Sequence, residues 1–200
     1  MKIAMIGQKG IPALYGGIER HVEELGARLA ERGHKVLAYC RPWYSPVAVR
    51  ETAYRGIRLV VLASIKTKHL DAISHTFVSS LHAIRENADI FHYHGVGPAL
   101  LAFLPRVFCP RSRVVVTFHC IDRKHKKWNA FARLILRFGE RAACFFAHET
   151  IVVSRVLEEY CRTTYHRDTT YIPNGVAVSE ERAEADLIQK QFGLKKNSYV

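Results

Sequence analysis

Short apolar runs rich in β-branched residues alternate along the chain with longer segments whose apolar positions recur every three or four residues. The short runs fall at 2–6, 35–40, 57–62, 89–92, 113–118, 150–153 and 170–172. Runs such as VVVTF and TIVVS lack the polar alternation of a half-exposed strand, so they suit strands covered on both faces. This rhythm predicts an α/β fold: a Rossmann-like, doubly wound, mainly parallel sheet of about seven strands with helices on both sides. In the first helical segment Ile18, Val22, Leu25 and Leu29 share one face; Glu19, Arg20, Glu23, Glu24, Arg28 and Glu31 take the other, and Gly33 is placed to end it. Around 128–146, Trp128, Phe131, Ile135, Phe138, Ala142 and Phe145 step by three and four, which predicts a core face opposite a basic stripe of Arg133, Arg137 and Arg141. After 172 the turn cluster Pro173-Asn174-Gly175 leads into a charged helical stretch with little to bury, and 197–200 read as the opening of another strand. Residues 1–173 are therefore expected to form one domain, and 174–200 a hinge, a helix and the start of a second.

The chain has 200 residues, 48% apolar and 24% charged, the make-up of an ordinary globular protein and not of a disordered or fibrous one. No apolar run reaches the roughly 18 residues of a membrane span, and the apolar start is too short for a signal peptide, so a cytoplasmic location is expected. Cys40, Cys109, Cys120, Cys144 and Cys161 are odd in number and form no Cys-x-x-Cys pair, which argues against a disulfide framework or thiolate metal site. The net charge of +12 favours anionic partners. No helix-turn-helix, RNA-recognition or zinc signature accompanies it, so no nucleic acid is expected. Within 105–141 ten Lys and Arg residues face only Asp122 and Glu140, just after the apolar ALLAFLPRVF. This asymmetry predicts peripheral attachment to an anionic membrane surface, the competing reading being that Leu100, Leu101, Phe103 and Leu104 are core.

Between the first strand and first helix lies GQKGIPALYGG, a loop with Gly7, Gly10, Gly16 and Gly17 that feeds a helix N-terminus. Unpaired N–H groups, the positive end of the helix dipole and close backbone approach at glycine suit a diphosphate. The spacing is neither G-x-G-x-x-G nor a P-loop, and the second strand ends at Cys40-Arg41 without the acid that would hold an adenosine ribose. A dinucleotide cofactor is thereby disfavoured, although Arg41 leaves a phosphorylated ribose open. His92 and His94, two apart at a strand end, share a side and are a formal zinc pair, but spacing indicates no third ligand.

YGGIERHVEELGARLAERGHKV, VVTFHCIDRKHKKW, TIVVSRVLEEY and YIPNGV, in this order, resemble the N-terminal domain of retaining family-four glycosyltransferases with the two-domain GT-B fold. The loop and HCIDRKHKKW are especially similar to bacterial surface-polysaccharide and rhamnosyltransferase-like enzymes. The resemblance implies transfer of a hexosyl group, with retention, from a nucleotide-diphosphate sugar to a hydroxyl of a saccharide or lipid-linked acceptor, without a metal or other cofactor. It places Gly16 and Gly17 at the donor phosphate and His119 beside the donor sugar, positioning it through a hydrogen bond. The family's His-Gly reads His119-Cys120 here, adding a side chain at that point. His94 with the Gly95-Val96-Gly97 turn is expected to line the acceptor side, as are Tyr15, Glu19 and Arg20. Arg123, Lys124, Lys126 and Lys127 are candidates to meet an anionic substrate, or else a solvated charge run. The family's second domain carries most of the nucleotide and a pair of glutamates, so these residues alone are expected to turn over poorly or not at all. A non-catalytic binding or regulatory domain of the same fold is the alternative.

Overall fold

The computed structural model describes residues 1–44, 50–67, 70–124, 128–175 and 186–194. Strands β1 (Lys2–Ile6), β2 (Lys35–Cys40), β3 (Ala53–Tyr54), β4 (Ile57–Val61), β5 (Ile90–His94), β6 (Arg113–Phe118), β7 (Glu149–Val152) and β8 (Thr170–Tyr171) form one sheet in the order β3-β4-β2-β1-β5-β6-β7-β8. Every neighbouring pair is parallel except β3 with β4. The helices among the described residues are α1 (Gly17–Glu31), α2 (Asp71–Arg85), α3 (Val96–Ala99), α4 (Phe103–Phe108), α5 (Ala130–Phe145), α6 (Arg155–Tyr165) and α7 (Asp186–Phe192), with a 3₁₀ turn at Asp122–Lys124. The sheet has eight strands where the sequence pattern predicts about seven. The additional one is β3, a two-residue antiparallel edge turned by Arg55 and Gly56, both at positive φ.

Because successive strand residues point to opposite faces, the apolar runs feed two layers at once. Ile3 and Met5 of β1 join Val36, Ala38, Ile57 and Leu59 beneath α1. Ala4 and Ile6 join Leu37, Tyr39, Phe91, Tyr93 and Val114 on the opposite side, against Ala83, Ala99 and Ala143. Helix α1 ends as its sequence predicts, with Gly33 at φ 81° and its N–H donating to the Ala30 carbonyl.

Helix α5 is turned differently from the expected arrangement. Phe131, Leu134, Ile135, Phe138 and Phe145 are exposed, at 72%, 49%, 37%, 48% and 78%, while Gly139, Glu140, Ala142, Ala143 and Cys144 are buried. Small residues win the inner face because α5 crosses α3 at close range: a Cβ on Gly139 would lie 2.2 Å from the Val96 carbonyl oxygen. The phenylalanines are left facing outward. Buried Glu140 collects three donors on Oε2: Arg123 Nε at 3.1 Å, Tyr160 OH at 2.7 Å and Tyr165 OH at 2.6 Å. This hub ties the segment after β6 and helix α6 to α5.

Candidate functional site at the carboxyl edge of the sheet

The order of strand addition reverses between β1 and β5, which run parallel, since β2 and β4 lie to one side of β1 and β5 to β8 to the other. Ligands of doubly wound sheets sit outside the carboxyl ends of the strands at such a switch point. Three chain segments converge there: the loop after β1, the end of β5 at His94, and the residues following β6 at His119.

The loop is fixed by side chains beneath it. Buried Gln8 donates through Nε2 to the carbonyls of Met5 (2.8 Å) and Tyr39 (3.1 Å). Glu19 accepts from Lys9 N at 3.0 Å, Glu23 from Ala13 N at 2.6 Å, and Tyr44 OH from the amides of Leu14 and Tyr15. Glu19 and Glu23 are 5% and 2% exposed, so they do not belong to the solvated face that the helical pattern implies. They turn inward because the loop brings unpaired amides within reach, as a helix-start glutamate does in a capping box. Gly16 is the N-cap of α1 at φ 102°, where a Cβ would fall 2.0 Å from Glu19 Oε2. At Gly17, the first helical residue, a Cβ would meet nothing within 4 Å. The Gly16 backbone is thus demanded by the fold, whereas the open space at Gly17 faces no protein.

Four histidines gather beside it. His21 extends from α1, one helical turn beyond Gly17 and hence on the same side. Its ring centroid lies 5.5 Å from that of His94 and 5.0 Å from that of His119, and His94 and His119 are 5.8 Å apart. His92 stacks on His94 at 4.1 Å, which confirms that the two share a side, and its Nε2 is hydrogen-bonded to Thr117 Oγ1 at 2.7 Å. Burial disfavours the charged imidazolium at all four. It lowers the pKa of His119 to about 4 and of His92 to about 3, and holds His94 far below the ordinary range, with mutual repulsion adding to each. Burial also lowers His21, against a hydrogen bond to the Asn174 side chain. At neutral pH these rings are uncharged donors and acceptors. Nε2 of His119, Nε2 of His21 and Nδ1 of His94 are buried with no hydrogen-bond partner among the described residues.

Of the other residues singled out from sequence, Tyr15 is 57% exposed at the loop tip, edge-on to Tyr44 at 4.8 Å. Arg20 is exposed and paired with Glu23 at 2.8 Å. Arg123 is engaged by Glu140 and by Tyr160 OH at 2.8 Å, so its charge serves the hub beneath α5. Arg41 is buried and ion-paired with Asp71 at 2.9 Å, which occupies the cation that left a phosphorylated ribose open. Lys124 is exposed, while Lys126 and Lys127 lie outside the described residues. His21 is the participant that sequence reasoning missed. Its i, i+4 relation to Gly17 is the signal that points to it. None of the five cysteines forms a disulfide. A cleft of ≈ 400 Å³ along α6 is lined by Arg155, Glu158, Glu159 and Arg162, whose charges are matched by ion pairs between them.

A parallel doubly wound sheet with an ordered glycine loop and a switch-point histidine cluster is the architecture of the N-terminal half of a GT-B glycosyltransferase. The sequence profile of Glycosyltransferase Family 4 matches residues 15–180, and the chain belongs to that family. Among solved structures the chain is similar to sucrose-phosphate synthase from Thermosynechococcus elongatus, with TM-score 0.73 and 19% identity over 97% of this chain and 53% of that one. It is also similar to HepE from Anabaena, determined with UDP and glucose, with TM-score 0.65 and 17% identity over 96% and 50%. A more divergent match, to an Arabidopsis thaliana protein complexed with UDP, has TM-score 0.54 and 10% identity over 93% and 54%. The chain thus spans about half the length of these structures. No curated protein sequence matches it.

Proposed function

We propose that residues 1–173 form the acceptor-side domain of a retaining hexosyltransferase, and that 174–200 lead into the domain holding most of the donor. In this reaction the acceptor oxygen forms a bond to the anomeric carbon as the bond from that carbon to the diphosphate oxygen breaks. The nucleoside diphosphate leaves with the electron pair, and the hydroxyl proton is released. Gly17 admits the donor phosphate to the start of α1. His119, neutral at pH 7, positions the sugar through a hydrogen bond and supplies no proton. The observation that carries this reading is the pairing, at one switch point, of an uncontacted Gly17 with a buried, unpartnered His119 Nε2. UDP bound to HepE gives the nucleotide class a precedent.

The test is release of nucleoside diphosphate from a panel of UDP-, GDP- and dTDP-hexoses, with water standing in for the acceptor. Slow release is expected, and His119→Asn should lower it about 100-fold or more, the size of one lost transition-state hydrogen bond. Release unaffected by His119→Asn would refute the assignment.

The acceptor is proposed to be a saccharide carried on lipid, met at a membrane. The outward Phe131, Leu134, Phe138 and Phe145 of α5 continue through Phe146 to Phe103 of α4, with ring centroids at 5.1 and 6.1 Å. Exposed Arg133, Arg137 and Arg141 on α5 and Arg106 on α4 flank that row. Apolar residues for the acyl boundary beside cations for anionic headgroups are the composition of an interfacial helix. No helix among the described residues is long and apolar enough to cross a membrane. Sedimentation with phosphatidylglycerol vesicles should retain the chain, and Phe131→Ser with Phe138→Ser should release it. Equal retention by neutral vesicles would oppose the electrostatic part.

A further inference from the structure

The rings of His21, His94 and His119 come from a helix, a strand end and a post-strand loop, yet one ligand nitrogen from each lies within 4.8 Å of the other two. Each ring also carries a buried nitrogen without a partner among the described residues, and His94 is only 1% exposed. A buried polar atom left unsatisfied destabilises the fold. Three such atoms at one point are accounted for by a ligand that satisfies all of them together.

The set contains no carboxylate and no thiolate. Three imidazole nitrogens suit zinc and other late first-row divalent cations, and do not suit magnesium or calcium, which take oxygen ligands. Zinc–nitrogen bonds of about 2.0–2.1 Å put tetrahedral ligand atoms about 3.4 Å apart. The separations, all within 4.8 Å, therefore close by at most about 1.4 Å on loading, a displacement that rotation of the rings supplies. The surroundings resemble an outer shell: His92 stacks on His94, and Met5 Sδ lies 3.4 Å from His94 Nε2. His92 is itself engaged by Thr117, so it is a neighbour and not a ligand.

We propose that His21, His94 and His119 form a three-histidine site for a zinc-like divalent cation, leaving a fourth coordination position for water or another ligand. The metal takes the same His119 nitrogen that the transfer reading assigns to the sugar, so metal and nucleotide sugar exclude one another. That competition rests on the transfer reading; the metal site does not.

Cobalt(II) titrated into the full chain tests the site, because low-symmetry His₃ coordination gives visible absorption that hexaaquacobalt lacks. One equivalent is expected to bind. His21→Asn and His119→Asn should each weaken it at least about 10-fold, with His166→Asn, an exposed residue outside the cluster, leaving it unchanged. Ring-nitrogen NMR of the unmutated chain supplies a reading free of folding defects: zinc should shift nitrogens of three histidines together. Absence of saturable binding, equal affinity in the three variants, or zinc shifts on other histidines would each overturn the site. Metal binding that leaves nucleotide-sugar affinity unchanged would overturn the competition and remove His119 from the sugar.

Discussion

The hub beneath α5 and the histidine cluster at the sheet edge are both buried polar clusters, and they are paired to different degrees. At the hub Oε2 of Glu140 receives an arginine and two tyrosine hydroxyls beside the α6 packing, while its Oε1 is buried without a partner among the described residues. At the cluster three rings each keep a buried nitrogen with no partner among the described residues. Paired buried groups hold a fold in one arrangement; unpaired ones raise its free energy and persist where a ligand completes them. Charge alone does not separate the two regions. Arg123 and Glu140 look like site residues by type but are bonded to each other and to Tyr160, whereas the uncharged histidines keep the unpaired nitrogens that the proposed chemistry calls on.

The sharpest way to break this comparison is at the hub. Glu140→Ala leaves Arg123, Tyr160 and Tyr165 without their shared acceptor, and a destabilisation of about 3 kcal/mol or more is expected in denaturant unfolding. A loss under about 1 kcal/mol would show that the hub is not structural. Next is acid. The folded pKa of His75 is lowered to about 4, and those of His119 and His92 to about 4 and about 3, from an unfolded value near 6.5. Between those values the unfolded chain binds the extra protons, so stability is full above pH 6.5 and falls as pH drops toward 4. Each neutral ring contributes up to about 1.4 kcal/mol per pH unit across that window. A melting temperature flat from pH 7 to 5 would contradict the burial of these rings. The smallest effects concern the glycine pair. Gly16→Ala places a side chain at positive φ against Glu19 and should cost about 1–3 kcal/mol. Gly17→Ala should change stability by no more than about 0.5 kcal/mol. Equal melting points for the two variants would erase the distinction between a glycine the fold requires and one a ligand requires.

Most of the architecture was legible in the sequence because a strand covered on both faces leaves an uninterrupted apolar run, as at 113–118 and in β1. The edge strand β3 was not, since two residues carry no pattern and their pairing is set by the Arg55-Gly56 turn. Helix α5 shows why periodicity is insufficient: it identifies an apolar face but not which face is buried. The close approach to Val96 selected the face bearing Gly139 and Ala143 instead of the phenylalanines. Gly16, Gly17, His94 and His119 were legible through motif order. His21 was hidden among charged neighbours in IERHVEE, where a helix-facing polar residue looks like surface. Glu19 and Glu23 were misread for the same reason, because their partners are amides of a loop whose path no periodicity reveals.

The most direct test of the account is amide NMR of the chain titrated with nucleotide-diphosphate hexoses, alongside its Gly17→Ala variant. Saturable shifts at Gly16, Gly17, Ile18 and His119, weakened at least about 10-fold in a variant of unchanged stability, are the result the account predicts. Shifts confined to the α6 cleft around Arg155 and Arg162, or none with any donor, would contradict it.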